Sequence, residues 1–181
     1  MLGFGAISEG PISDLPDAFA VALPPLVPEQ RESLIQVVSF LDSTLIDHYR
    51  SNPLELQLMN RRRFEELVAE LFSGFGYAVE LTKRTRDGGK DIIAIRRGEV
   101  DVRYLIECKR PDPTNPIGVS TVRELLGVKE DDGATKAILA TTGYFTKDAT
   151  EFIERHRWEL EARDFDAIKE WLARYARVKG S

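Results

Sequence analysis

Residues 91–110, DIIAIRRGEVDVRYLIECKR, decide the fold that this sequence predicts. Two apolar runs, DIIAIRR and VRYLIECKR, flank the short link 98–101, a pattern that predicts an antiparallel hairpin. Folding at the link places Asp91 opposite Glu107, to within about two residues. Because side chains alternate along a strand, Glu107 and Lys109 lie on one face with Cβ atoms roughly 7 Å apart. The hairpin thus predicts that two carboxylates and an ammonium group meet near the end of a strand.

Helical and strand patterns surround this hairpin. Apolar residues at helical spacing follow Arg61, and within this helix Glu66 and Glu70 fall opposite the apolar stripe while Glu65 lies at its margin. Strands that alternate with helices late in the chain imply parallel crossovers joined to the hairpin. The predicted fold class is therefore α/β, a mixed β-sheet flanked by helices. The other predicted elements are a strand at 77–81, a helix from about Ser120, a strand at 137–142, a helix after Thr146, a short strand near Leu160 and a last helix after Asp164.

The sequence also predicts a division of the chain. Residues 1–30 hold five of the nine prolines and no Lys or Arg, a composition typical of an extended arm. A helical pattern covers 31–50, and this helix either docks on the rest of the chain or pairs with a second copy. We therefore expect an N-terminal arm and helix over 1–60 and one compact domain over 61–181.

Composition excludes several classes of protein. With 43% hydrophobic and 30% charged residues, the chain is expected to be globular and soluble. It has no apolar run of membrane-spanning length and no signal segment, so a cytoplasmic location and no membrane partner are expected. A single cysteine, Cys108, excludes an intrachain disulfide and a cysteine-based zinc site. The net charge of −5 argues against bulk attraction to nucleic acid, although residues 83–110 contain nine Lys or Arg and five acids.

Asp91, Glu107 and Lys109 indicate a particular chemistry. Two converging carboxylates repel each other, and a divalent cation relieves that repulsion. Mg²⁺ prefers one or two carboxylates with water and phosphate oxygens in its remaining positions. A nearby ammonium group can then hold the attacking water and offset charge at phosphorus, so the set suits phosphodiester hydrolysis. The alternative is structural: Glu107 and Lys109 form an ordinary solvent-facing pair, Asp91 caps a turn and Glu65 covers the rim of the core.

Longer stretches of the chain resemble a known family. The sequence RRRFEELVAELFSGFGYAVELTKRTRDGGKDIIAI, followed by YLIECKRP, IGVSTVRELLGV and KAILATTGYFTKDA, resembles the Mrr-like restriction endonuclease domain of the PD-(D/E)XK nuclease superfamily. The resemblance covers about residues 61–173. It implies that Asp91 and Glu107 are metal ligands, that the carbonyl of Cys108 faces the metal, that Lys109 is the catalytic lysine and that Glu65 completes the site.

The resemblance also implies partners and a cofactor. It implies a DNA endonuclease that uses Mg²⁺, with Mn²⁺ as an alternative, in restriction or defence against foreign DNA. Two active sites are generally needed to cut both strands, so a homodimer or higher homo-oligomer is expected, and a partner could supply target recognition. Two other functions stay open: a non-catalytic DNA-binding or assembly module of a defence or repair complex, and a structure-selective nuclease. The predicted DNA phosphate contacts are Lys83, Arg84, Arg110 and Arg123.

Overall fold

A computed structural model describes residues 41–82, 90–111 and 114–180. Within these residues the chain forms a five-stranded sheet in the order β1-β2-β3-β4-β5. The first three strands are antiparallel neighbours, whereas β4 and β5 run parallel to β3. The predicted hairpin and the mixed sheet are therefore confirmed. The strands are β1 (Ala78–Leu81), β2 (Ile92–Arg96), β3 (Val102–Lys109), β4 (Lys136–Thr141) and β5 (Leu160–Arg163).

Helices lie on both faces of this sheet. Those after Thr146 and Asp164 begin where the sequence predicts, because each of these side chains accepts a hydrogen bond from a backbone N–H of the first turn. Asn60 caps the helix that follows it in the same way. The helices are α1 (Ser43–Ser51), a short 3₁₀ helix (Pro53–Gln57), α2 (Arg61–Gly74), α3 (Val119–Asp132), α4 (Lys147–Arg155) and α5 (Phe165–Lys179).

The sheet separates two hydrophobic cores. Ile106 and Cys108 of β3 belong to the core formed with α1, α2 and α5. Leu105 of the same strand and Leu139 of β4 belong to the core formed with α3 and α4. Because successive side chains of a strand point to opposite faces, the central strand is buried on both sides. Glu107 lies between Ile106 and Cys108, on the face that α3 and α4 cover.

Residues before α2 contribute to the first of these cores. The helix predicted over 31–50 begins only at Ser43 in the described residues, because Asp42 caps it with its side chain. Ile46 of α1, Leu56 of the 3₁₀ helix and Met59 are all buried in this core, so α1 docks on the sheet domain. The predicted arm at 1–30 and residues 31–40 lie outside the described residues, and a domain boundary near residue 61 stays a prediction. No helix in the described part of the chain combines the length and apolar character needed to cross a membrane.

One expectation about α2 needs correction. The sequence placed Glu70 opposite the apolar stripe, yet the structure buries it. The reason is that α5 packs against α2 on that side, and the hydroxyl of Tyr175 donates a 2.8 Å hydrogen bond to the Glu70 carboxylate. A periodic pattern cannot reveal such a contact between residues that lie far apart in the chain.

Candidate active site

Asp91 is held at the point where the β2–β3 pairing ends. Its backbone N–H donates to the carbonyl of Ile106, and its carbonyl accepts from Thr82, so its backbone joins both neighbouring strands. The β2–β3 register ends with Ile92 opposite Ile106, so Asp91 and Glu107 are the next residues of the two segments, and the charge of Asp91 acts to raise the pKa of Glu107. The Oδ2 of Asp91 accepts a 2.7 Å hydrogen bond from the N–H of Cys108. The carboxylate is thus fixed across the two strands.

Glu107 and Lys109 meet on one face of β3. Glu107 is only 4% exposed, and the Nζ of Lys109 lies 2.5 Å from its Oε1. Burial raises the pKa of Glu107; the ion pair with Lys109 opposes this rise, whereas the charges of Asp91 and Glu124 add to it. Glu107 therefore belongs to a region of concentrated negative charge, and Lys109 offsets the charge of Glu107 directly.

Glu65 approaches the same region from α2. It is 3% exposed, and two arginines of its own helix hold it. The Nε of Arg61 donates to Oε1 at 3.0 Å, and Arg62 donates to Oε2 at 3.2 Å. Arg61 also donates through Nη2 to Oδ1 of Asp91 at 3.0 Å. One guanidinium group therefore links Glu65 to Asp91.

The four predicted DNA contacts have different positions. Arg110 follows β3, is exposed and donates to the carbonyl of Gln57 at 3.0 Å. Arg123 lies on α3 with its guanidinium over the ring of Phe152, 5.3 Å from the centroid. Lys83 and Arg84 lie outside the described residues. The structure therefore sets Arg110 directly after Lys109, whereas Arg123 is packed against α4.

The residues present fit a hard divalent cation. Asp91, Glu107 and the carbonyl of Cys108 offer oxygen atoms, which Mg²⁺ prefers, and two carboxylates leave room for water and substrate oxygens. Among the described residues, no group of three or more His, Cys, Asp or Glu side chains is arranged to hold a metal ion. Burial strongly raises the pKa of the Cys108 thiol, so its sulfur is expected to stay protonated.

Sequence reasoning missed Arg61 and Arg62. Their signal was present, because Arg61 precedes Glu65 by four residues, the spacing at which side chains of a helix meet. Its second contact, to Asp91, spans thirty residues of sequence and depends on how α2 packs beside β2. That contact could not be inferred from helical spacing alone.

The fold defines a restriction-endonuclease-like α/β domain, and comparison with known proteins identifies the family. The Mrr_cat family of restriction endonucleases matches residues 56–172, well over half of the chain. The chain belongs to this family.

Similar proteins include one sequence relative and two solved structures, and each of them is longer than the region it shares with this chain. An uncharacterized protein of Sinorhizobium fredii, y4cE, is 31% identical over 144 residues, 77% of this chain and 36% of the relative. The DNA modification-dependent restriction endonuclease AspBHI has a similar fold, with a TM-score of 0.53 and 20% identity over 82% of this chain and 42% of its own.

The restriction endonuclease FokI is similar at a TM-score of 0.51 and 14% identity, over 74% of this chain and 28% of its own. At these identities the two structural likenesses concern the fold. The chain spans less than half the length of each of the three relatives.

Proposed function

We propose that the chain is a Mg²⁺-dependent DNA endonuclease that hydrolyses phosphodiester bonds, with Mn²⁺ as an alternative cation. Asp91 and Glu107 would hold the cation together with the carbonyl of Cys108. The observation that supports this most is the meeting of Asp91, Glu107 and Lys109 at one end of β3, in a chain of the restriction endonuclease family. A buried pair of carboxylates with a lysine beside it has little value for stability alone.

The side chains would divide the work between them. A bound divalent cation supplies a Lewis acid that polarises the scissile phosphate and favours ionisation of the attacking water. Lys109 donates hydrogen bonds that orient this water and offset charge on the phosphate oxygens. The oxygen of the water would bond to phosphorus while the bond to the 3′ oxygen breaks; the water loses a proton to solvent and the leaving 3′ oxygen takes one up from solvent, which gives a 5′-phosphate and a 3′-hydroxyl end. Glu65 would complete the site from α2, directly or through water.

DNA recognition in the proposed enzyme draws on residues around this site. Arg110 lies one residue beyond Lys109 and is exposed, which suits a backbone phosphate contact. Lys83, Arg84 and Arg123 are proposed as further phosphate contacts. Because the relatives are much longer than this chain, we also propose that target recognition comes from another segment or a partner. We propose further that a homodimer or higher homo-oligomer cuts both DNA strands in restriction or defence.

A cleavage assay tests the proposal. Methylated and unmethylated plasmids are incubated with the purified chain, with and without Mg²⁺ or Mn²⁺, and the products are scored as nicked or linear DNA. Asp91→Asn, Glu107→Gln and Lys109→Ala are each expected to slow cleavage by about 10²-fold or more, because each removes a group that acts directly on the reacting atoms.

The matched control is Glu66→Gln on the outer side of α2, where the carboxylate pairs with Arg63. This variant is expected to cut at the wild-type rate. Cleavage by all three site variants at the wild-type rate would refute the assigned roles. Absence of both cleavage and Mn²⁺ binding heat in the wild type would instead favour the non-catalytic DNA-binding module.

A further inference from the structure

The guanidinium group of Arg61 occupies an unusual place for a helix-surface residue. It lies between two of the proposed site's carboxylates, with one N–H directed to Glu65 and another to Asp91, both at 3.0 Å. Glu65 and Asp91 come from different elements, so the bridge joins the first turn of α2 to the start of β2. A single positive group thus compensates two acids that would otherwise repel each other.

The side chain of Arg61 is much more exposed to solvent than the two carboxylates that it bridges. The side chain of Arg61 is 53% exposed, whereas those of Glu65 and Asp91 are 4% and 12% exposed. The two carboxylates are therefore fixed within the protein, while the guanidinium group of Arg61 that bridges them can rotate into solvent. Glu65 would keep Arg62 as a partner after such a movement, so the contact that changes is the one to Asp91.

We propose that Arg61 is a positioning residue that competes with the divalent cation for Asp91. This inference depends on the proposed function, because it assumes that Asp91 is a metal ligand. Without a cation, Arg61 keeps Asp91 and Glu65 close together despite their repulsion. When a cation binds, Oδ1 of Asp91 exchanges the guanidinium for the metal, so the apparent affinity for the cation is lower than the oxygen ligands alone would give.

Charge and contact must be separated in the test. Loss of any nearby positive charge favours cation binding somewhat, and Arg63 provides the control because it pairs with Glu66, two residues from Arg61 on the same helix. Arg61→Lys keeps the charge but replaces the planar fork with a single ammonium group, which cannot reproduce the two-directional bridge. The three variants therefore separate the effect of losing a nearby positive charge from the effect of losing the hydrogen bond between Arg61 and Asp91.

Calorimetric titration of the full chain with Mn²⁺ measures the effect without relying on activity. Arg61→Ala is expected to bind Mn²⁺ about tenfold more tightly than the wild type, since a hydrogen bond to a charged group contributes about 1.4 kcal/mol or more. Arg61→Lys is expected to fall between the two, and Arg63→Ala within about twofold of the wild type, as screened surface charges have small effects. Thermal unfolding in EDTA verifies that each variant is folded.

The outcomes distinguish this inference from the proposed function. If the wild type binds Mn²⁺ and Arg61→Ala binds it no more tightly, the competition is refuted while the metal site stands. Equal tightening in Arg61→Ala and Arg63→Ala also refutes it, because the effect is then one of general charge. If no variant binds Mn²⁺, the metal site and the inference both fail. If Arg61→Ala does not fold, Arg61→Lys decides: an unchanged affinity refutes the competition.

Discussion

Lys109 is expected to stabilise the fold as well as to serve the proposed chemistry, and Lys109→Ala tests this. The variant leaves Glu107, 4% exposed, without the ammonium group at 2.5 Å. Losing a hydrogen bond to a charged group costs about 1.5–3 kcal/mol. Because the Lys109 side chain is one-third exposed, solvent screens the pair, and we expect the low end of this range, about 1.5 kcal/mol.

The loss of unfolding free energy in Lys109→Ala should increase with pH. Burial already raises the pKa of Glu107 above 4.5, and removal of Lys109 takes away a group that lowers it. A carboxyl group whose folded pKa is raised contributes stability that is complete below about pH 4.5 and is lost as the pH rises through the folded pKa. Lys109→Ala should therefore destabilise the chain more at about pH 8 than at about pH 5, where Glu107 can take up a proton.

Urea unfolding at both pH values, in the wild-type and Glu107→Gln backgrounds, measures this coupling. We expect Lys109→Ala to cost at least about 1 kcal/mol less in the Glu107→Gln background, since no buried charge is then left behind. Lys147→Ala, which removes an exposed lysine paired with Glu151, is the control and should change stability by less than about 0.5 kcal/mol. Equal losses in both backgrounds, or a loss independent of pH, would contradict the role assigned to Lys109.

Two further predictions concern the packing around the site. Gly74→Ala places a Cβ against the ring of buried Tyr175 with no room for it, so we expect a loss of about 1–3 kcal/mol in urea unfolding, and an unchanged midpoint would mean that α2 and α5 can separate easily. Burial acts to raise the pKa of Asp132, but ion pairs with Lys90 and Arg103 outweigh it and lower the pKa below 3.8. Asp132→Asn should therefore cost about 1 kcal/mol at neutral pH and progressively less as the pH falls through the folded pKa, and a loss that stays constant on acidification would exclude the charged pairing.

The order of the helices and strands could be predicted from the sequence, because each of them has its own pattern of apolar residues. Alternating apolar residues around the link 98–101 predicted the hairpin, and its symmetry also gave the observed register, in which Ile92 pairs with Ile106. The predicted helices after Thr146 and Asp164 begin where expected, and the structure shows that each of these side chains caps its helix. These features depend on neighbours in the chain, so no knowledge of the packing was needed.

Other features depended on packing between distant elements. Burial of Glu70 requires Tyr175, more than a hundred residues later, and the bridge from Arg61 to Asp91 requires α2 to begin beside the start of β2. The helix predicted to end near residue 50 does end at Ser51, but the 3₁₀ helix Pro53–Gln57 that follows was not predicted. The roles of Asp91, Glu107 and Lys109 in catalysis stay predictions, because proximity of side chains does not measure a reaction rate.

The hydrogen bond from Cys108 to Asp91 gives the site a built-in spectroscopic probe. The amide of Cys108 lies beyond the last pairing of β2 with β3, and the Asp91 side chain takes the place of a strand carbonyl as its acceptor. Its proton chemical shift and its exchange with deuterium therefore depend on how one carboxylate is oriented. In a ¹⁵N-labelled sample, this single resonance would follow rearrangement of Asp91 during titration, even in variants that cleave nothing.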